Sequence, residues 1–206
     1  MSRRNYDYSF PKGDGIWFVS DTHWNHRNVM DFCHRPFSSI EEMNQKLIEN
    51  WNSVVGKDDV VFHLGDVCFG DTEKWKSVLE QLNGNIYLAK GNHDDDMPAG
   101  VREYFKDIQY QYQIKIENQR IILNHYPLLC YAGSYKNPEN NPTWNLYGHV
   151  HSGPLSIGRD KSRLSVCFPE QYDVGVDNNN YFPISFHQVM EKIKQRQEDA
   201  KNKEKV

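Results

Sequence analysis

The chain has 206 residues, a formal net charge of −4 and a mean hydropathy of −0.81. This length fits one domain that buries a core without cross-links, so we predict a single domain over residues 1–206. The acidic balance gives no basic field for nucleic acid or an anionic membrane. No apolar run approaches the roughly 18 residues that a membrane helix needs, and the first residues lack the apolar segment of a signal peptide. We therefore expect no membrane association.

The four cysteines lie far apart and form no Cys-x-x-Cys pair. This spacing argues against structural zinc held by thiolates and favours reduced thiols, so we predict a cytoplasmic protein. The nine histidines are many for this length. Six of them fall in or beside short polar motifs that follow apolar runs, which indicates a functional site.

The first half of the chain alternates between strand and helix patterns. Three short apolar runs are typical of strands buried on both faces: Ile16–Val19, Val60–Leu64 and Ile86–Ala89. Between them, helical spacing predicts a helix from about Ser39 to Val55 that begins with a capping box. A second helix is predicted from Thr72 to a stop at Asn83-Gly84. This order predicts parallel βαβ units with right-handed crossovers.

The second half of the chain has a different pattern. Residues from Ile108 to Ile116 alternate between apolar and polar, and Arg120–Leu123 complements them, which predicts an antiparallel hairpin with one wet face. Further strands are predicted at Trp144–Tyr147, Leu164–Phe168 and Tyr172–Val176. A last helix begins near Ser185, and the charged tail is expected to fray from about residue 195.

Two segments of the second half have no apolar period. They are Gly133–Thr143, rich in Gly, Asn and Pro and a candidate active-site flap, and Ser152–Lys161. We expect both to be surface loops. From the pattern alone, the fold class is α/β with an antiparallel second half and no internal repeat.

Polar motifs follow the apolar runs at the points where the predicted strands end. The sharpest is Gly91-Asn92-His93-Asp94, directly after the strand that ends at Ala89 and Lys90. The others are Asp21-Thr22-His23, Gly65-Asp66, His125 and Gly148-His149-Val150-His151. Because the carboxyl ends of strands are where open α/β sheets build their sites, we expect these groups to converge.

The converging groups form a metal-ligand inventory: Asp21, His23, Asp66, Asn92, His125, His149 and His151. Mixed oxygen and imidazole donors favour Mn, Fe or Zn over Ca and Mg, which prefer oxygen, and over Cu(I), which prefers sulfur. Seven ligands are too many for one such ion, whereas two ions bridged by one carboxylate use all seven. Paired ions about 3.5–4 Å apart stabilise the attacking and departing oxygens of an in-line displacement at phosphorus. Gly65 and Gly148 would allow close backbone approach.

Taken in the order in which they occur along the chain, the motifs resemble the five motifs of the calcineurin-like metallophosphoesterases. The match spans roughly Asp21 to His151, and Val174-Gly175-Val176-Asp177 and Pro183 are also similar to that family's ending. The segment from Ser20 to Phe37 resembles a compact group of bacterial and phage phosphohydrolases. The resemblance implies a four-layer α/β/β/α sandwich, in which two mixed β-sheets are flanked by helices.

The resemblance also implies roles for individual residues. Two divalent ions, Mn, Fe or Zn with Mn favoured, would activate a metal-bound hydroxide, so that no covalent phosphoenzyme forms. Asp66 would bridge the two ions. His93 would give a proton to the leaving oxygen, and Asp94 would orient His93. Asp21, His23 and His151 would complete the site of the first ion. Asn92, His125 and His149 would complete the site of the second ion.

Substrate contacts are predicted on the segment that follows the first motif. His26 and Arg35 could bind the substrate phosphate, since an arginine can grip phosphate with two parallel hydrogen bonds. His34 is a weaker candidate. His63 lies inside a strand run, so core packing or a hydrogen bond that supports a ligand is expected there instead of ligation.

Several alternatives remain open at this point. The expected partner is a phosphorylated small molecule or a nucleotide, as a monoester or a diester. The acidic chain, without a long basic arm, leads away from a processive nuclease, although a nucleic-acid or nucleotide phosphodiesterase is an alternative. A scaffold that keeps the fold without the reaction is a further alternative. The sequence does not determine the oligomeric state.

Overall fold

Two five-stranded sheets form the centre of the part that the computed structural model describes, which comprises residues 6–134, 141–156 and 160–203. Sheet I contains, in spatial order, β10 (Ile184–Ser185), β2 (Ile16–Val19), β3 (Val60–His63), β4 (Asn85–Ala89) and β5 (Phe105–Gln109). Sheet II contains, in spatial order, β1 (Tyr8–Phe10), β6 (Gln111–Ile116), β7 (Gln119–Asn124), β8 (Trp144–Tyr147) and β9 (Gln171–Asp173).

Both sheets are mixed. In sheet I, β10 runs antiparallel to β2, and the other neighbours are parallel. In sheet II, β6 and β7 are antiparallel, and the other neighbours are parallel. The α-helices of the described residues are α1 (Arg27–Phe32), α2 (Ile40–Val54), α3 (Thr72–Leu79) and α4 (Phe186–Lys203). Short 3-10 helices cover Ala99–Tyr104, Lys161–Val166 and Val176–Asn178. Two mixed sheets with flanking helices confirm the predicted fold class.

The strands of sheet I separate two hydrophobic cores. Since side chains alternate across a strand, Ile16 and Phe18 of β2 face sheet II, while Val19 packs in the core that also contains Met43 and Trp51 of α2. The core between the sheets also receives Phe186, Val189 and Ile193 from α4. Each large apolar side chain buried in this way stabilises the fold by roughly 1.5–3 kcal/mol.

Helix α2 begins as its sequence predicts. The Ser39 side chain accepts a hydrogen bond from the Glu42 backbone N–H, which satisfies one free donor of the first turn. The Glu42 carboxylate in turn accepts the backbone N–H of Ser38 at 2.7 Å, one residue before the cap. The predicted capping box is therefore present, with its second bond shifted by one residue.

Strand register places the site motifs at one edge of the sandwich. Val19 lies opposite His63 in sheet I, and Leu123 lies opposite Leu146 in sheet II. The loops that follow these parallel strands therefore leave their sheets at matching heights.

Four local predictions differ from the structure. The alternating run from Ile108 to Ile116 is divided at Tyr110 between β5 of sheet I and β6 of sheet II, so β6 and β7 alone form the hairpin. The predicted strand Leu164–Phe168 is the 3-10 helix Lys161–Val166. Helix α3 ends at Leu79, before Asn83-Gly84. Helix α4 continues to Lys203, well beyond the predicted start of fraying near residue 195.

Parts of two predicted loops lie outside the described residues. Positions 135–140 of the candidate flap and positions 157–159 of the second loop belong to this group. Among the helices that the structure describes, none has the length and apolar character to cross a membrane.

Candidate metal centre

The seven predicted ligands come together where the two sheets meet. The loops after β2, β3 and β4 of sheet I deliver Asp21, His23, Asp66 and Asn92, and the loops after β7 and β8 of sheet II deliver His125, His149 and His151. Asp21, His23, His125 and the Asp66 carboxylate are almost fully buried. The sequence prediction that separate strand ends build one site agrees with this placement.

The first cluster contains Asp21, His23 and His151, whose candidate donor atoms lie within 4.8 Å of one another. Asp21 Oδ1 is 4.0 Å from His23 Nε2 and 3.8 Å from His151 Nε2. One carboxylate and two imidazoles converging in this way form a donor set that suits Zn, Mn or Fe.

The second cluster contains Asp66, His125 and His149, with donor atoms again within 4.8 Å. Asn92 joins it, because Asn92 Oδ1 lies 3.2 Å from His125 Nε2. Asp66 connects the two clusters. Its Oδ2 is 3.5 Å from His23 Nε2 in the first cluster and 3.5 Å from His125 Nε2 in the second.

The backbone around these ligands is held in an uncommon conformation. Five of the seven predicted ligands have positive φ: Asp21 (57°), His23 (51°), Asp66 (57°), His149 (69°) and His151 (45°). Each such residue costs about 1–3 kcal/mol, and residues of this kind cluster at functional sites. The fold therefore spends stability to direct these side chains inward.

Two glycines allow the loops to approach one another. A Cβ at Gly148 would overlap Ser20 Oγ and the Asp21 carboxylate, and Gly148 is followed by His149, whose N–H donates to both Asp21 oxygens at 3.0 and 3.1 Å. Gly65 has φ +95°, and a Cβ there would overlap the Gly91 backbone. Both positions confirm the prediction that missing side chains permit close backbone approach.

Hydrogen bonds from the outer ring nitrogens fix two of the histidines. His151 Nδ1 bonds Asp177 Oδ2 at 2.7 Å, and His125 Nδ1 bonds the Leu64 carbonyl at 2.7 Å. In both, Nε2 is directed at the carboxylates. Such outer partners set the tautomer and orientation of metal-binding histidines.

His23 supplies the clearest sign that a cation belongs here. Its Nε2 is buried and has no hydrogen-bond partner among the described residues, although it faces two carboxylates. Burial holds the pKa of His23 well below its ordinary value, with His151 and Arg35 lowering it further, so the ring is neutral. A neutral imidazole with an unpaired buried nitrogen is the form that binds a metal ion.

The remaining electrostatics agree with a bound cation. Burial raises the pKa of Asp21 to about 6, and a bound cation would favour its ionised form. Burial lowers the pKa of His125 and His151, but the carboxylates of Asp66, Asp21 and Asp177 outweigh burial and raise these pKa values to about 9 and about 11. The protons on these ring nitrogens thus occupy the positions that a metal ion would take. The residues present fit the implied ions.

A third group, formed by Cys33, His151 and Asp177, has donor atoms at similar spacing. It does not suit a separate cation. Both Asp177 oxygens already accept hydrogen bonds from the Arg35 guanidinium, at 2.8 and 2.9 Å, and this fixed positive charge would repel an ion.

Comparison with known proteins agrees with this geometry. The sequence profile of the calcineurin-like phosphoesterases matches residues 15–166. The chain belongs to this family. The match confirms the resemblance found in the motifs and supports a phosphoesterase hydrolase at the level of the family.

Three relatives define its similarity more closely. An uncharacterised protein of Methanocaldococcus jannaschii is 34% identical over 180 residues, covering 86% of this chain and 90% of that protein. The gene 66 protein of Mycobacterium phage L5 is 29% identical over 188 residues, covering 78% of this chain and 86% of that protein. A crystal structure of a protein of unknown function from Aquifex aeolicus is similar at a TM-score of 0.64 and 26% identity, covering 85% and 97% of the two chains.

In this calcineurin-like phosphoesterase, Arg35 does not have the predicted role of binding the substrate phosphate. It is 4% exposed, and its guanidinium forms a bidentate pair with Asp177. The same group donates to the carbonyl oxygens of Thr22 at 2.8 Å and Asp21 at 2.7 Å. Because these bonds occupy the guanidinium inside the protein, the prediction that Arg35 binds the substrate phosphate is wrong.

Asp94 also acts differently from the prediction. Its buried carboxylate accepts the backbone N–H groups of Asp66 at 2.7 Å, Val67 at 3.0 Å and Gly91 at 2.8 Å. These bonds join the loops after β3 and β4 and do not reach the His93 ring. Asp94 therefore positions the Asp66 loop, and the expected contact that orients His93 is absent from the described hydrogen bonds.

His26 contacts a predicted ligand. Its Nδ1 lies 3.2 Å from His23 Nδ1, and its ring stacks on Phe69 with centroids 4.0 Å apart. Burial, with help from His93 and Arg35, lowers the pKa of His26 to about 4, so this imidazole is neutral. One of the two Nδ1 atoms must then donate and the other accept, which orients His23. Phosphate binding by His26 stays a prediction.

Sequence reasoning missed several supporting residues. Asp173 accepts the backbone N–H groups of Ser152 at 3.0 Å and Gly175 at 2.8 Å, which holds the chain next to His151. The Tyr126 ring lies edge-on to those of His125 and His149, with centroids 5.0 and 4.7 Å away. The position of Tyr126 directly after His125 was the available signal.

His63 was expected to pack or to support a ligand, and the structure agrees. Burial lowers its pKa to about 3. Thr22 donates its hydroxyl to the Val67 carbonyl, so the 2.9 Å contact between Thr22 Oγ1 and His63 Nε2 is a bond that the ring donates. His63 Nδ1 accepts the Gly65 N–H at 3.2 Å. The ring thus ties the first two site loops together.

Proposed function

We propose that this protein hydrolyses a phosphate ester with the help of two divalent ions, with manganese favoured. The position of Asp66 carries the proposal, because one carboxylate oxygen lies 3.5 Å from a histidine in each of two ligand clusters. A shared carboxylate between two sets of imidazole and oxygen donors suits a pair of ions better than a single ion.

Each ion would have its own ligands. Asp21, His23 and His151 would hold the first, and Asn92, His125 and His149 would hold the second, with Asp66 shared. When bound, the ions supply Lewis-acid activation of water and charge stabilisation of the phosphoryl oxygens. The protein keeps the donors in place through Asp177, Leu64 and His26, which bond the outer nitrogens of three ligand histidines.

His93 would assist the leaving group. Its backbone N–H donates to Asp66 Oδ1 at 3.0 Å, and its exposed ring lies beside those of Phe69 and His23, with centroids 4.9 and 5.7 Å away. An imidazole at the open side of the centre can give a proton to the departing oxygen. In the reaction, a bond forms between a water oxygen and phosphorus and the phosphorus–alcohol bond breaks. The alcohol leaves with a proton from His93, which is restored by the proton lost from water.

The substrate would be a phosphorylated small molecule or nucleotide. The net charge of −4 gives no field for holding long nucleic acid. Side-by-side assays of 4-nitrophenyl phosphate and bis(4-nitrophenyl) phosphate with added Mn would distinguish monoesterase from diesterase activity.

Three variants test the proposal. Asp66→Asn should abolish turnover and reduce bound metal, because the shared ligand loses its charge. His93→Ala should reduce turnover by roughly 10²–10⁴-fold with metal content unchanged, as expected for loss of a general acid. His187→Ala is the matched control, since His187 is exposed and bonds Asp14 on another surface. Near-full activity of His93→Ala would contradict the assignment of His93 as the acid. A wild-type rate that stays unchanged when a chelator is added would contradict the proposed metal centre.

A further inference from the structure

A cavity of about 330 Å³ opens beside His149. Its walls come from the loop after β7, the loop after β8 and the 3-10 helix Lys161–Val166 together with the residues around that helix. Apolar side chains predominate, in particular Pro127, Leu128, Leu129, Val150 and Val166. His149 therefore belongs both to the cavity wall and to the second ligand cluster.

Gln171, Asp160 and Arg163 of the cavity wall each have a polar partner. Gln171 Nε2 donates to the Leu128 carbonyl at 3.0 Å and to Asn145 Oδ1 at 2.9 Å, and its Oε1 accepts the Phe168 N–H at 2.9 Å. Asp160 and Arg163 also line the cavity and pair with each other at 3.2 Å. The cavity thus combines a largely apolar surface with the ion pair of Asp160 and Arg163.

Apolar residues in this wall are unusually exposed. Leu129 is 75% exposed, Val166 is 63% exposed and Tyr126 is 43% exposed. Large apolar side chains that remain in water beside a polar centre indicate a binding surface. Their position next to His149 suits a ligand whose other end reaches the metal cluster.

We propose that this cavity binds the leaving alcohol of the substrate, and that this alcohol carries an aromatic ring. The inference rests on the proposed phosphate ester hydrolysis. The volume lies at the lower end of small-molecule sites and fits one ring system with a short linker. Tyr126 offers a ring face or edge at the boundary between cavity and metal cluster, since its own ring contacts both His125 and His149. An ester whose phosphoryl group lies at the second ligand cluster, beside His149, would extend its ring toward Leu129 and Val166.

Two non-hydrolysable probes test the cavity separately from catalysis. Phenylphosphonate and methylphosphonate carry the same charged head, and titration calorimetry of the Mn-loaded protein measures their affinities. Wild-type protein should bind phenylphosphonate roughly ten- to fiftyfold more tightly, the effect of burying one ring. The variants Leu129→Gln and Val166→Gln should reduce this preference to about threefold or less and leave methylphosphonate affinity unchanged. Leu155→Gln is the control, because Leu155 is 55% exposed and does not line the cavity.

Each outcome decides the matter. Equal affinity of the wild-type protein for both probes overturns the cavity assignment, as does a preference that survives both cavity variants. If Leu129→Gln changes a dimer to a monomer in gel filtration while the preference persists, the surface is an interface between copies and the assignment fails. A tenfold preference that depends on Val166, in a protein without esterase activity, would support the cavity while refuting the proposed reaction.

Discussion

Arg35→Lys should lower the stability of the protein. The Arg35 guanidinium makes four hydrogen bonds of 2.7–2.9 Å, two to Asp177 and two to the carbonyls of Asp21 and Thr22. Lysine keeps the charge but cannot form the bidentate pair or span all four acceptors. Removing one partner of a buried pair costs about 3–5 kcal/mol. Since lysine retains part of the attraction, we expect a loss of about 3 kcal/mol.

The expected loss is readily measured. At about 2–4 °C per kcal/mol for a domain of this size, the melting temperature should fall by roughly 10 °C. Urea unfolding of the metal-free protein would give the same free energy without a contribution from bound ions. Arg27→Lys is the control, since Arg27 is exposed on α1. Unchanged urea midpoints together with a tenfold rise in KM for 4-nitrophenyl phosphate would refute the reasoning and return Arg35 to the substrate site.

Three further predictions concern the metal centre. Gly148→Ala should destabilise the protein by more than about 1 kcal/mol, because the added methyl group overlaps Ser20 and Asp21. Thermal unfolding measures this loss of stability, and a melting temperature equal to that of the wild type would contradict the prediction. His26→Phe keeps the stack on Phe69 but removes the bond to His23, so Mn affinity should fall roughly 10–100-fold in a metal titration, and unchanged affinity would contradict the orienting role. Mn at a hundred times its dissociation constant should raise the free energy of unfolding by about 2.7 kcal/mol, and a chelator should reverse the gain; thermal shift assays measure it, and Asp66→Asn should show little of it.

The sequence was sufficient for the parts of the site that follow local rules. Short apolar runs that end in polar motifs predicted the strand ends, and parallel pairing of β2, β3 and β4 then brought Asp21, Asp66 and Asn92 to one edge of sheet I. The roles of Arg35 and Asp94 could not be predicted in the same way. Arg35 is defined by a partner 142 positions away, and Asp94 by backbone donors 27 and 28 positions away. Hydrogen bonds of this range depend on the finished packing.

Prediction from local sequence patterns also failed where one amino-acid composition is compatible with two backbone conformations. The alternation from Ile108 to Ile116 is continuous in sequence, yet the chain passes from one sheet to the other at Tyr110. Leu164–Phe168 has strand-like composition, but its backbone closes short turns, with the Cys167 N–H donating to the Leu164 carbonyl. Periodicity describes which faces are apolar, and it does not identify the strand that will pair with a given edge.

The ligands drawn from both sheets give the ions a mechanical consequence. Asp21 and His149 stand 128 positions apart in the sequence, and each belongs to the rim of a different sheet. Ions bound between these two sheet edges would link parts of the chain that are far apart in the sequence, and the link would be reversible. Because such ions bind the folded protein and not the unfolded chain, their binding would add to the free energy of unfolding. Loss of the ions should therefore loosen the ligand-bearing loops before the apolar core between the sheets, and limited proteolysis should find its earliest cuts in these loops.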